Sequence, residues 1–289
     1  MGTSTAYGGP EGGTPLVPSW LGDNDSGNPP NSSPEGDSNG AANGQSGNTV
    51  PTVPIPPSAD PQRFTSARTN FTKYARSGGG DRASLGRAIA KYVSKSSGGS
   101  RTAAQRMGAS RGSGARLLGF LVDAQSRGIR EALRSLNLES LAGRPITEIF
   151  LGLADYICPG ASTVDEGIAR EAYIETIIEL TEEGITNLET FTAEQMQMVF
   201  EMYATHAIEA RICNDIGTKA IIMPASADAA RFVEEQFRDF IRGGVSDALT
   251  RAIADSSILT IQNVQGFVDS VYESAYSTLN ALGEAEANR

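Results

Sequence analysis

The sequence has little of what catalysis usually draws on. It holds one histidine, His206, two cysteines, Cys158 and Cys213, and one tryptophan, Trp20. One histidine excludes a two-histidine zinc site. Two cysteines exclude a disulfide framework and a four-ligand zinc site. No apolar run nears the roughly 18 residues that span a bilayer. No basic-then-apolar signal peptide opens the chain, so a cytoplasmic protein without a membrane partner is expected. A Walker phosphate loop and a G-x-S-x-G nucleophile elbow are both missing. These absences point away from a conventional enzyme and from a cofactor of its own.

Proline and charge are unevenly spread. Of 14 prolines, 11 lie at or before residue 61. Residues 1–60 carry six acids and no Lys or Arg, whereas residues 61–120 carry twelve bases and one acid, Asp81. Residues 121–289 carry twelve bases and 27 acids. The net charge of −10 therefore hides a segment of +11. Such a segment meets phosphates, an acidic partner surface or the chain's own acids. The acidic remainder of the chain is the nearest partner.

Residues 21–58 are a Gly/Pro/Ser/Asn/Asp mixture with no aromatic residue. Such a segment cannot bury enough apolar surface to offset its chain entropy, so a disordered linker is expected. As a flexible tether its r.m.s. span is on the order of 35 Å. Residues 1–20 differ: Tyr7, Leu16, Val17 and Trp20 form an apolar island, and Pro10, Pro15 and Pro18 favour an extended chain. That pattern fits a linear motif that docks on a partner.

From residue 59 to 283 the pattern predicts an all-α helical domain, basic over 61–120 and acidic over 121–283, with a disordered C-terminus at 284–289. Pro61 marks a helix start. Phe64, Ala67, Phe71, Tyr74 and Ala75 share one helical face, and Gly78-Gly79-Gly80 ends it. Asp81 caps a second helix bearing Leu85, Ala88, Ile89, Tyr92 and Val93. Residues 97–115 are Ser/Gly/Arg-rich and read as loops with one short helix. Thr163-x-x-Glu166 and Thr192-x-x-Gln195 are capping boxes. Met196, Val199, Phe200, Tyr203, Ala207 and Ala210 fall within about 100° of arc on a helix. Gly184 and Gly217 mark helix ends. Ala220–Met223 is the one short β-like run, too isolated for a sheet.

His206 reads as a helix-surface residue with one local hydrogen bond, since no oriented partner is legible. Both cysteines read as buried small hydrophobes. Glu171, Glu175, Glu179, Glu182 and Glu183 are spaced three and four apart. Without Glu-x-x-His pairs they fit a solvated or arginine-facing helix face better than a di-metal site. The basic segment supplies candidate phosphate contacts at Arg82, Arg87, Lys91 and Lys95. No nucleic-acid-binding motif accompanies them.

The terminus carries its own chemistry. Met1-Gly2 is a sequence from which the initiator methionine is removed, leaving a free α-amine on Gly2. Ala6 stands where N-myristoylation wants Ser or Thr. An α-amine titrates near 7.7–8.0, so a useful fraction is neutral and nucleophilic at cellular pH. An unhindered amine on a long tether has the properties of a substrate.

The opening MGTSTAYGGP and GGTPLVPSW, the low-complexity spacer, RFTSARTNFTKYARSGGGDRASLGRAIAKYVSK, RMGASR and LLGFL together resemble the QatB component of the bacterial Qat anti-phage defence system. The resemblance implies partners: an ATPase, a TatD-like nuclease and a QueC-like protein. QueC-type enzymes use ATP to adenylate the carboxylate of 7-carboxy-7-deazaguanine, and ammonia then attacks. The Gly2 amine in place of ammonia would join a 7-deazaguanine base to this chain. Gly2 would then be the modification site, with Thr3 and Ser4 entering the partner's active site. Tyr7, Gly8, Gly9, Leu16 and Trp20 would help dock the tail. The competing expectation is a nucleic-acid-binding adaptor that uses residues 61–120 to bring a nuclease to phage DNA.

Overall fold

A computed structural model describes residue 60 and residues 62–160, 162–185, 188, 191–217, 221–255 and 259–289. The tail at 1–20, the linker at 21–58 and Pro61 lie outside the described residues. Among those described, the chain is all-α, with ten α-helices and no strand. They are α1 (Thr65–Arg76), α2 (Arg82–Lys91), α3 (Ser100–Gln105), α4 (Gly108–Arg127), α5 (Ile129–Ser135), α6 (Ile146–Ile157), α7 (Val164–Glu182), α8 (Ala193–Ile216), α9 (Ala227–Asp255) and α10 (Val264–Ala287). A π-helical turn at Tyr92–Ser96 extends α2, and a 3-10 turn at Glu139–Leu141 precedes α6.

Local sequence explains most boundaries. The five apolar positions from Phe64 to Ala75 are all buried. The helix stops at Arg76, and Gly78 and Gly79 take φ of +65° and +87°, which only glycine adopts without strain. The Asp81 carboxylate then accepts from the Ser84 N–H at 2.9 Å and starts α2. Both expected capping boxes are formed, at the starts of α7 and α8. Each satisfies two N–H groups that the first helical turn leaves without a partner.

Two expectations are corrected. Residues 97–115 are not mainly loop: α3 and the first half of α4 occupy most of them. The small residues there are packing surface. Ser110, Ser113 and Gly114 are buried, and a Cβ at Gly114 would stand 3.1 Å from the Tyr203 ring. The C-terminal stretch from 284 is helical through Ala287 and ordered by contact. Glu286 there is buried and accepts from Arg82 Nε at 2.9 Å.

Tyrosine hydroxyls tie the core together. Tyr74, Tyr92, Tyr173, Tyr203, Tyr272 and Tyr276 are fully buried. Tyr74 donates to the Val233 carbonyl at 3.0 Å, Tyr173 to the Phe150 carbonyl at 2.8 Å and Tyr203 to the Ser110 carbonyl at 3.0 Å. Each bond joins two different helices, so an aromatic ring fills volume while its hydroxyl finds an acceptor. No helix among the described residues is long and apolar enough to cross a membrane.

Candidate functional site

The basic segment folds onto the acidic half. α2 lies against α10 so closely that backbones touch. A Cβ at Gly86 would stand 2.6 Å from the Gly283 carbonyl oxygen, and one at Gly283 would stand 2.7 Å from that of Gly86. Along this seam and its continuation, Arg82 pairs with Glu286 at 2.9 Å, Arg101 with Glu273 at 3.2 Å and Arg111 with Asp269 at 3.0 Å. Of the four candidate phosphate contacts, Arg82 is therefore engaged by α10. Arg87 pairs loosely with Asp81 and donates to the Ala287 carbonyl. Lys91 and Lys95 have no ion pair among the described residues, and Lys95 is exposed.

A second polar constellation joins α7, α8 and α9. His206 is buried, and its Nε2 lies 2.7 Å from Glu179 Oε2. A carboxylate only accepts, so Nε2 carries the proton and donates. Its Nδ1 lies 3.9 Å from Glu209. Arg242 binds the other oxygen of Glu179, and Arg238 Nε donates to Glu209 at 2.7 Å. Burial alone would push the Glu179 carboxyl up. The His206 hydrogen bond and the Arg242 charge outweigh it and hold the group below the ordinary glutamate range.

His206 is thus corrected from a surface residue to a buried one. Its partner lies 27 residues upstream on another helix, which no local spacing shows. The arginine-facing expectation for the acidic face holds at Glu179. Glu175, Glu182 and Glu183 line the same cleft, of about 330 Å³, without an ion pair among the described residues. Sequence reasoning also missed a buried knot at the end of α8. Arg211 pairs there with Asp165 and with Asp215 at 3.3 Å, while Tyr92 donates to Asp215 at 2.9 Å. The only local sign of it was the i,i+4 spacing of Arg211 and Asp215.

The two cysteines of the body are held as thiols. Burial pushes the Cys213 thiol up to about 12, with Glu209, Glu234 and Glu171 adding to the effect. Burial raises Cys158 as well. Both are thiols at neutral pH, and the thiolate is the reactive form. Among the described residues no three His, Cys, Asp or Glu side chains converge as a metal site. The expected tail residues Gly2, Thr3, Ser4, Tyr7, Gly8, Gly9, Leu16 and Trp20 lie outside the described residues.

No curated protein and no solved structure matches the chain. A family model described as "QatB: Qat anti-phage system associated protein QatB" matches residues 98–279. That span runs from just before α3 into α10 and holds the α7–α8–α9 constellation. With most of its helical body inside the match, the chain belongs to the QatB family and is a component of a Qat anti-phage defence system.

Proposed function

We propose that this chain serves the Qat system as a non-enzymatic scaffold whose N-terminal tail is a substrate. Residues 1–20 are the tail, residues 21–58 the tether, and the helical domain the body that holds partners. A QueC-like protein binds the tail through Tyr7, Gly8, Gly9, Leu16 and Trp20. It draws Gly2, Thr3 and Ser4 into its active site. The partner spends ATP to make the acyl adenylate of 7-carboxy-7-deazaguanine. The Gly2 amine attacks the acyl carbon, a C–N bond forms, the acyl–oxygen bond to AMP breaks, and the amine gives up a proton. The product is an amide between the 7-deazaguanine base and Gly2. The ATPase and the TatD-like nuclease are the further partners, and the setting is the cytoplasm.

One contrast supports this reading. The body's thiols are protonated at neutral pH and its one imidazole is bound to Glu179, whereas the tail offers an unhindered α-amine. The nucleic-acid reading draws on Lys91 and Lys95, whose charges have no ion pair among the described residues. It loses ground where Arg82, Arg101 and Arg111 are taken by α10.

A phage-protection assay with the whole system separates the two. Deleting residues 2–9, or making Gly2→Trp, is expected to abolish protection. Reversing Arg87, Lys91 and Lys95 to Glu is expected to leave it. The opposite pattern would favour the nucleic-acid adaptor.

A further inference from the structure

A cavity of about 330 Å³ lies over the middle of α4, walled by α5, the end of α6 and the start of α10. Arg116 lines it and is partly buried. Its guanidinium is fixed. Nε donates to the Ile157 carbonyl at 2.8 Å, which closes the end of α6, and Nη2 donates to Ser113 Oγ at 3.1 Å. Among the described residues Nη1 has no hydrogen bond and the guanidinium meets no carboxylate. The arginines on either side of it along α4 differ: Arg111 meets Asp269 and Arg127 meets Asp123. A partly buried cation without a counter-ion is costly unless something else supplies the negative charge.

Gly112 leaves that nitrogen accessible. A Cβ there would stand 3.6 Å from Nη1, and Gly112 itself lines the cavity. α10 begins at the same place. Val264 and Gln265, its first two residues, line the cavity, and Asn263 before them makes no side-chain cap bond to that turn. First-turn N–H groups carry partial positive charge. Phe120 and Tyr156 supply aromatic wall, the first buried and the second exposed. The acid in the lining, Asp123, stands two turns along α4, about 10 Å away in helix rise. Arg127 Nε already holds it at 2.6 Å. The cavity therefore has a positive end at Arg116 and an acidic end at Asp123.

We propose that this cavity binds a small planar organic carboxylate. Its head lies at the positive end, where one oxygen accepts from Arg116 Nη1 in a charge-assisted bond. Its flat body packs on Phe120 and Tyr156. Nη1 is the one guanidinium nitrogen left to bind, which matches a singly charged head better than a doubly charged phosphate. The volume is at the small end of ligand pockets, so the body is one or two fused rings. The site lies on the helical body, so it stands whether or not Gly2 is modified.

The test titrates the full chain, labelled at Ile, Leu and Val methyl groups, with three probes at millimolar concentration. They are indole-3-carboxylate, the neutral indole-3-carboxamide and inorganic phosphate. The carboxylate is expected to give saturable shifts at the methyls of Leu136, Ile261 and Val264, which line the cavity. The carboxamide should bind about tenfold weaker, the loss expected for a charged hydrogen bond, and phosphate should give no saturable shift. Gly119 also lines the cavity, and a Cβ there would meet nothing within 4 Å. Gly119→Leu should therefore fill the space without lowering Tm and remove carboxylate binding. Arg116→Gln should bring carboxylate and carboxamide to equal affinity. No saturable shift with the carboxylate would overturn the proposal. So would equal binding of the carboxamide by the unaltered chain, or a Gly119→Leu chain that still binds. Phosphate moving the same methyls as strongly would mark an adventitious ion only and overturn it too.

Discussion

The seam between α2 and α10 and the cleft between α7, α8 and α9 both bring opposite charges together, and they are built in opposite ways. At the seam, Gly86 and Gly283 let two backbones touch, and the ion pairs stand at the edge. Arg82 there is 54% exposed. At the cleft no glycine floor exists, and the charged groups themselves make the join. His206 is 4% exposed and Glu179 16%. Shape holds the first region and charge holds the second. The seam consumes several of the body's cations, whereas acids at the rim of the cleft remain without ion pairs among the described residues.

That contrast can be broken at either end. The largest effect is expected at the seam from Gly283→Val, whose Cβ would meet the Gly86 carbonyl and the Ala90 N–H. Overpacking against backbone has no cheap relief, so about 3 kcal/mol is expected. For a body of this size that is a fall in Tm of roughly 6–12 °C, read by calorimetry. Next comes Glu179→Ala in the cleft. It strands the buried His206 N–H and the Arg242 guanidinium, at about 2–3 kcal/mol. Tyr74→Phe should cost about 1 kcal/mol by removing the hydroxyl's bond to the Val233 carbonyl. Arg82→Gln should cost about 1 kcal/mol, because Arg82 is half exposed and Arg289 still pairs with Glu286 at 2.9 Å. If Arg82→Gln proved as damaging as Gly283→Val, the seam would be held by charge and the contrast would fail.

Acid sharpens the same comparison. The Glu179 carboxyl is held below its unfolded value. Its contribution is therefore full above the ordinary glutamate pKa and is lost as pH falls through the lowered one. Chemical denaturation followed from pH 7 downward should show stability falling in the acid range. Glu179→Gln should flatten that limb, whereas Gly283→Val should shift the whole curve down without changing its slope.

Legibility in the sequence followed the range of each interaction. The two capping boxes, the Asp81 cap and the buried face of α1 rest on residues three to seven apart, and all were readable. The first half of α4 was not. Its Gly and Ser residues have loop composition, and only contact with Tyr203 explains why small side chains are needed there. The pairing of His206 with Glu179 spans two helices and leaves no periodic trace. Nor does the burial of Glu286, which depends on Arg82 some two hundred residues away. The segregation of charge left three partners open for the basic segment, namely phosphates, an acidic partner surface and the chain's own acids, and the seam shows Arg82, Arg101 and Arg111 meeting the acids of α10. The tail was legible as chemistry alone, through an amine with nothing beside it.

The most direct test of the substrate reading is the intact mass of this protein, expressed with and without its QueC-like neighbour and followed by N-terminal peptide mapping. The account predicts a Met-less chain whose Gly2 peptide gains the mass of a 7-deazaguanine acyl group only in the paired expression. An identical, unmodified Gly2 terminus in both samples would contradict it.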